Sequence, residues 1–206
     1  MKISKITESL ILASAVAVML VLARGGSDFY YMLWNLFLAW IPYLLSSYLA
    51  EQKESLKKLW PVFVLWLVFF PNAPYLSTCI IHLLSTASSM LWYDILLFTF
   101  FAWVGLVLGI LSLMQSGEYL ERQYGKQMVE PAIVLMSLAT SFGIYLGRFE
   151  RLNSWDFFLH PAVFLKHSHA ILTSFTTNPV PFIFTVLFAL CLYTAYKMVY
   201  ALVKKG

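Results

Sequence analysis

The chain has 206 residues, of which 61% are hydrophobic and only 12% charged, about half the charged share of an ordinary soluble domain. This composition excludes a water-soluble globular fold and indicates a polytopic membrane protein. The net charge of +4 is scattered over short connections, which argues against a nucleic-acid surface, and two cysteines in apolar runs do not make a disulfide framework.

The N-terminus carries Lys2 and Lys5 before an apolar run. Val21-Leu22-Ala23 has the look of a cleavage site. The run is long for a signal core and further spans follow, so a retained first span is expected. The apolar runs are Glu8–Ala23, Phe29–Ala50, Trp60–Leu84, Leu91–Met114, Val129–Gly147 and Pro179–Val203. Their lengths approach or reach the ~17–25 residues that cross a bilayer, the first being marginal. The expected fold is therefore all-α, a six-span membrane helix bundle in a single domain covering residues 1–206.

Charge sets the expected orientation. Lys2, Lys5, Lys53, Lys57, Lys58, Arg122, Lys126, Lys197, Lys204 and Lys205 fall on one side, against Arg24, Arg148, Arg151 and Lys166 on the other. The positive-inside rule then puts both termini in the cytoplasm of a cell-membrane protein. Glu51–Leu59 and Gln115–Glu130 read as solvated cytoplasmic turns. Arg148–Asn178 is the outer segment that stands out for its basic residues.

Several positions break the apolar pattern. Asn35 in the second span is expected to bond across helices. The third span contains Pro71-Asn72-Ala73-Pro74-Tyr75, and two prolines three residues apart cannot both sit inside a regular helix. A break at membrane depth must be packed by protein or line a wet cavity. Small-residue pairs at four-residue spacing, Ala13 with Ala17, Gly105 with Gly109 and Gly143 with Gly147, let helix backbones approach closely. They do not name the partner, which is either another span or another membrane protein.

With this topology the unusual polar residues converge on one layer. Thr78, Cys79 and His82 follow the break, Asp94 opens the fourth span, and Arg148 to Asp156 follow the fifth. The candidate ligand-binding residues are Asn72, Tyr75, His82, Asp94, Arg148, Arg151, Asn153, Trp155 and Asp156. Arg148 and Arg151, at i and i+3, are expected to share a helical face as a fork for a carboxylate or phosphate. The alternative is that they pair with Asp94, Glu150 or Asp156 and hold the loop. Cys79, His82, Asp94, Asp156 and His160 are of metal-ligand type, but no HExxH or paired CxxC occurs, so no metal is assigned. His167 and His169 read as interfacial. Ser154 near Asp156 or His82 could form a nucleophile beside a base, but the spacing is not diagnostic. No nucleotide or dinucleotide fingerprint is present, and no cofactor is expected.

The residues Trp66-Leu67-Val68-Phe69-Phe70-Pro71-Asn72-Ala73-Pro74-Tyr75, then His82-Leu83, and later Gly147-Arg148-Phe149-Glu150-Arg151-Leu152-Asn153-Ser154-Trp155-Asp156 resemble a bacterial integral-membrane family catalogued as domain of unknown function 1361. The resemblance runs from the second span to the last. Where this chain has Cys79, the family pattern commonly has an acidic residue. The resemblance implies a bacterial multi-pass protein and supplies no activity.

Three functions fit these residues. The first is a small-molecule binding or transport subunit with an outward-facing pocket, similar in size and topology to the substrate-binding subunits of energy-coupling-factor vitamin transporters. The second is a membrane enzyme acting on a phosphate-bearing lipid or envelope substrate, and the third a noncatalytic envelope assembly partner. The expected partners are membrane lipid and a membrane protein docking on the small-residue faces.

Overall fold

A computed structural model describes residues 5–25, 29–85 and 90–203. These form α1 (Lys5–Arg24), α2 (Tyr31–Glu51), α3 (Leu56–Phe69), a single turn α4 (Asn72–Tyr75), a 3-10 segment (Leu76–Ser85), α5 (Leu91–Tyr124), α6 (Val129–Phe149), the short α7 (Asp156–Leu159), α8 (Pro161–Thr173) and α9 (Val180–Val203). The described residues contain no strand. Six stretches are long and apolar enough to cross a membrane, with α3 through Leu83 counting as one. The protein is thus an all-α helix bundle with the composition of a multi-pass membrane protein. Its outward side chains agree: Leu12, Met19 and Leu22 on α1 and Ile183, Leu187 and Leu190 on α9 are all exposed, an arrangement stable in lipid and not in water.

The centre of the bundle is α5, which packs against α1, α2, α4, the 3-10 segment, α6 and α9. Its 34 residues make a rod about 50 Å long, well beyond the ~30 Å hydrocarbon core. The excess is Gln115–Tyr124, which the sequence reads as a solvated turn and the structure makes helical. The reason is tertiary. Tyr119 is fully buried, and its hydroxyl donates to the Glu54 carbonyl at 3.0 Å. Arg122 donates to the Ala50 carbonyl at 2.6 Å, and Ser46 and Ser47 donate to Gln115 Oε1 at 2.7 and 3.1 Å. The helix therefore closes the carbonyls left open at the end of α2. Glu51–Leu59 is likewise shorter as a connection than the sequence suggests, because α3 starts at Leu56.

Two apolar clusters fill the bundle. One joins Val21, Met32, Leu36, Leu76, Leu97, Phe98 and Phe101. The other joins Leu49, Trp66, Phe70, Leu113, Tyr119, Ile133 and Tyr196. The helix interior of the second cluster carries one hydrogen-bonded tie, in which Trp66 Nε1 donates to Ser112 Oγ at 2.8 Å and that hydroxyl donates to the Pro42 carbonyl at 3.0 Å. This tie joins α2, α3 and α5.

Candidate functional site

The third span changes winding between Phe69 and Leu76. Pro71 and Pro74 have no N–H for the carbonyls of Leu67 and Phe70. The chain answers by tightening rather than opening. Ala73 N–H turns to the Phe70 carbonyl at 3.2 Å, and the Asn72 side chain donates to the Phe69 carbonyl at 2.8 Å. After Tyr75 the path continues as a 3-10 helix, where Ser77 and Thr78 hydroxyls donate to the carbonyls of Pro74 and Tyr75, both at 2.7 Å.

The glycine pairs of α5 and α6 grip this segment from two sides. A methyl group added at Gly105 would stand 2.5 Å from the Ala73 carbonyl oxygen and 2.7 Å from Leu76 Cβ. At Gly109 it would stand 3.3 Å from Pro74 Cδ, and at Gly143 2.7 Å from Pro71 Cγ. At Gly147 it would touch the Tyr75 ring at 3.6 Å. Both motifs thus take an internal partner, the proline-bearing turn, whose backbone and rings need the absent side chains' space. In the first span, Ala17 is fully buried in the core.

A 3-10 helix stacks residues three apart, and this one aligns Cys79 with His82 next to Thr78. Arg148, in the last turn of α6, meets that row. Its Nε and Nη2 donate to Thr78 Oγ1 at 3.0 and 2.8 Å, Nη2 also reaches Cys79 Sγ at 3.3 Å, and Nη1 lies 3.0 Å from His82 Nε2. The guanidinium sits 4.4 Å above the centre of the Tyr75 ring, within cation–π range. Among the described residues no carboxylate pairs with it. Arg148 therefore clamps the 3-10 segment through neutral acceptors and one aromatic face.

The two arginines do not share a helical face. Helix α6 ends at Phe149, and Arg151 adopts a left-handed conformation with φ 57°, uncommon for a non-glycine residue. The reversal brings Leu152 N–H back to the Leu146 carbonyl at 3.2 Å and leaves Arg151 exposed. Asp94 is also spent elsewhere. It is fully buried and forms a two-point ion pair with Arg24, with Nη2 to Oδ2 at 3.3 Å. The rings of Phe29 and Phe98 separate that pair from His82: Phe98 lies 6.4 Å from His82 and 6.1 Å from Phe29.

The reversal at Arg151 seats residues 152–155 against the proline-bearing turn and encloses a cavity of about 80 Å³. Its wall includes Trp34, Asn35, Asn72, Tyr75, Gly147, Asn153, Ser154 and Trp155. Asn72 Nδ2 donates to Ser154 Oγ at 2.8 Å, which holds the two sides of the cavity together. Trp34 and Trp155 meet edge to face at 6.3 Å. Asp156 Oδ2 accepts the Asn153 N–H at 2.7 Å and its amide at 3.3 Å, so it shapes the turn that presents Asn153 and Ser154.

Of the residues the sequence singles out, Asn72, Tyr75, Asn153 and Trp155 line the cavity. Arg148 and His82 stand together on the 3-10 row, while Asp94, Arg151 and Asp156 lie outside the cavity wall. Asn35, expected to bond across helices, has no hydrogen-bond partner among the described residues and faces the cavity instead. Trp34 gave no signal among seven tryptophans. Ser154 meets an amide donor and not a base. His160 immediately precedes α8, and His167 pairs with Glu150 at 3.3 Å. Among the described residues no three His, Cys, Asp or Glu side chains converge as a metal site.

Residues 34–194 match the model of a family described as Protein of unknown function (DUF1361). The chain belongs to this family. No curated protein and no solved structure matches it. For this DUF1361 protein the match begins at Trp34 and so takes in every cavity residue, together with the Arg148 clamp, and leaves α1 outside.

Proposed function

We propose that this protein is a membrane-embedded binding protein, a binding or transport subunit, that holds a small polar molecule between the proline-bearing turn and residues 152–155. The observation that carries this reading is the hydrogen-bonding capacity left open in the cavity wall. Asn72 uses both amide hydrogens on Phe69 and Ser154, yet its Oδ1 meets no protein donor among the described residues. The Asn35 amide, in the same wall, also meets no partner among the described residues, and Trp34, Tyr75 and Trp155 line the same cavity. Convergent open amides beside aromatic faces are what a ligand pocket provides. The bias of basic residues toward the opposite end of the bundle supports a site that opens outside a cell membrane, with cytoplasmic termini.

The test is Asn35→Leu, which fills the cavity and removes one open amide. Native mass spectrometry of the full chain released from bilayer nanodiscs should show a co-purifying small molecule on the wild type and about tenfold less of it on the variant. Thermal stability should stay unchanged. Equal retention by both proteins would end this reading.

A further inference from the structure

We infer that the bound molecule is an amphiphile, with an uncharged polar head among Asn35, Asn72 and Ser154 and a hydrocarbon chain in the groove beside α8. This rests on the reading of the protein as a binding subunit and adds the chemical class of the ligand.

A second cavity of about 330 Å³ lies between α3, α6 and α8, a volume typical of sites that bury organic ligands. It shares Pro71, Gly143, Leu152, Asn153 and Ser154 with the polar cavity. The two spaces therefore lie against one wall, but their chemistry differs. The first is lined by amides, a hydroxyl and aromatic edges. The second is faced by Val68, Ala139, Phe142, Phe157, Phe164 and Leu165. Neither wall contains a Lys, Arg, Asp or Glu, and the nearby Arg148 is engaged by Thr78, Cys79, His82 and Tyr75. Neither wall therefore supplies a charge that would pair with a charged head, which favours a neutral one.

Away from the shared Asn153 and Ser154, the groove has a further polar point. The Ser168 hydroxyl is nine-tenths buried and has no hydrogen-bond partner among the described residues. Such an orphan is costly in an apolar wall, and an ester or amide carbonyl along the chain would satisfy it. Access comes from α8 itself. Leu165 and Leu172 on α8, with Phe158 and Leu159 just before it, are exposed, while Lys166 and His167 supply its polar side. A helix of this kind lies at the headgroup boundary, where a membrane amphiphile can enter sideways.

The experiment uses the full chain in phosphatidylcholine nanodiscs with a monoacylglycerol carrying a mid-chain diazirine. Photolabel should fall on residues 139–146 and 157–168. Labelling should drop roughly tenfold in Ala139→Trp or Leu165→Trp, which block the groove at exposed positions, and also in Asn35→Leu, which blocks the head. Unlabelled monoacylglycerol should compete and glycerol alone should not. The amphiphile is overturned if a headless diazirine hydrocarbon labels the groove equally and Asn35→Leu makes no difference to that labelling, since ordinary lipid then fills it. It is also overturned if a diazirine phosphatidic acid is preferred, since the head is then anionic. In either case the binding reading survives if a co-purifying molecule is still lost in Asn35→Leu and retained in Ala139→Trp. If Asn35→Leu changes nothing bound, both readings fail.

Discussion

The same small-residue motif meets the same partner on two faces of the third span, with opposite outcomes. On the α5 side, Gly105 and Gly109 are buried against Ala73, Pro74 and Leu76, and the contact is closed. On the α6 side, Gly143 and Gly147 are half-buried, and both line the polar cavity. The difference comes from the path of the chain beyond each glycine pair. Helix α5 continues past the contact as unbroken helix to Tyr124. Helix α6 stops at Phe149, and the reversal at Arg151 lays an irregular segment across the gap. A regular face packs to interior density, whereas a loop held by Asp156 and Asn72 leaves space. The motif provides close approach, and the element after it decides whether that approach seals or encloses.

Alanine at each glycine tests this contrast, with unfolding of the detergent-solubilised protein as the measurement. Gly105→Ala should have the largest effect, about 3 kcal/mol, because the new methyl meets the Ala73 carbonyl and Leu76, which have no room to retreat. Gly143→Ala should cost less, about 1–2 kcal/mol. The clash there is with the Pro71 ring edge, which can shift toward the cavity at the expense of its volume. Gly147→Ala should stay within about 0.5 kcal/mol, since its methyl makes ordinary contacts at 3.5 Å and beyond. Equal losses at Gly105 and Gly147 would erase the distinction between a sealed face and an open one.

The fold was largely legible from the chain. Six apolar runs, the proline break and the glycine pairs are local features that hydropathy and backbone chemistry expose directly. The site was legible in part. Asn72, Tyr75, Asn153 and Trp155 announced themselves through the break and the polar segment after the fifth span. Asn35 was visible as an amide in an apolar run, but a single polar residue there reads equally as a cross-helix bond or as a cavity wall. Asp94 and Arg151 stand outside the cavity wall, because residue type reveals a need for a partner and not which partner meets it. Asp94 meets Arg24 across 70 residues, a distance no local pattern spans.

What the sequence determined by itself is the solvent and the interruptions: a chain this apolar must put its helices in lipid, and prolines at 71 and 74 must rob two carbonyls of their α-helical donors. What the tertiary structure decided is how those interruptions are used. It turned the break into a tight 3-10 row clamped by Arg148, gave both glycine pairs the same internal partner, and left a polar cavity on the α6 side. Backbone chemistry acts within a few residues and so is written locally. Whether two faces close or leave room depends on where distant helices end, and packing alone settles that.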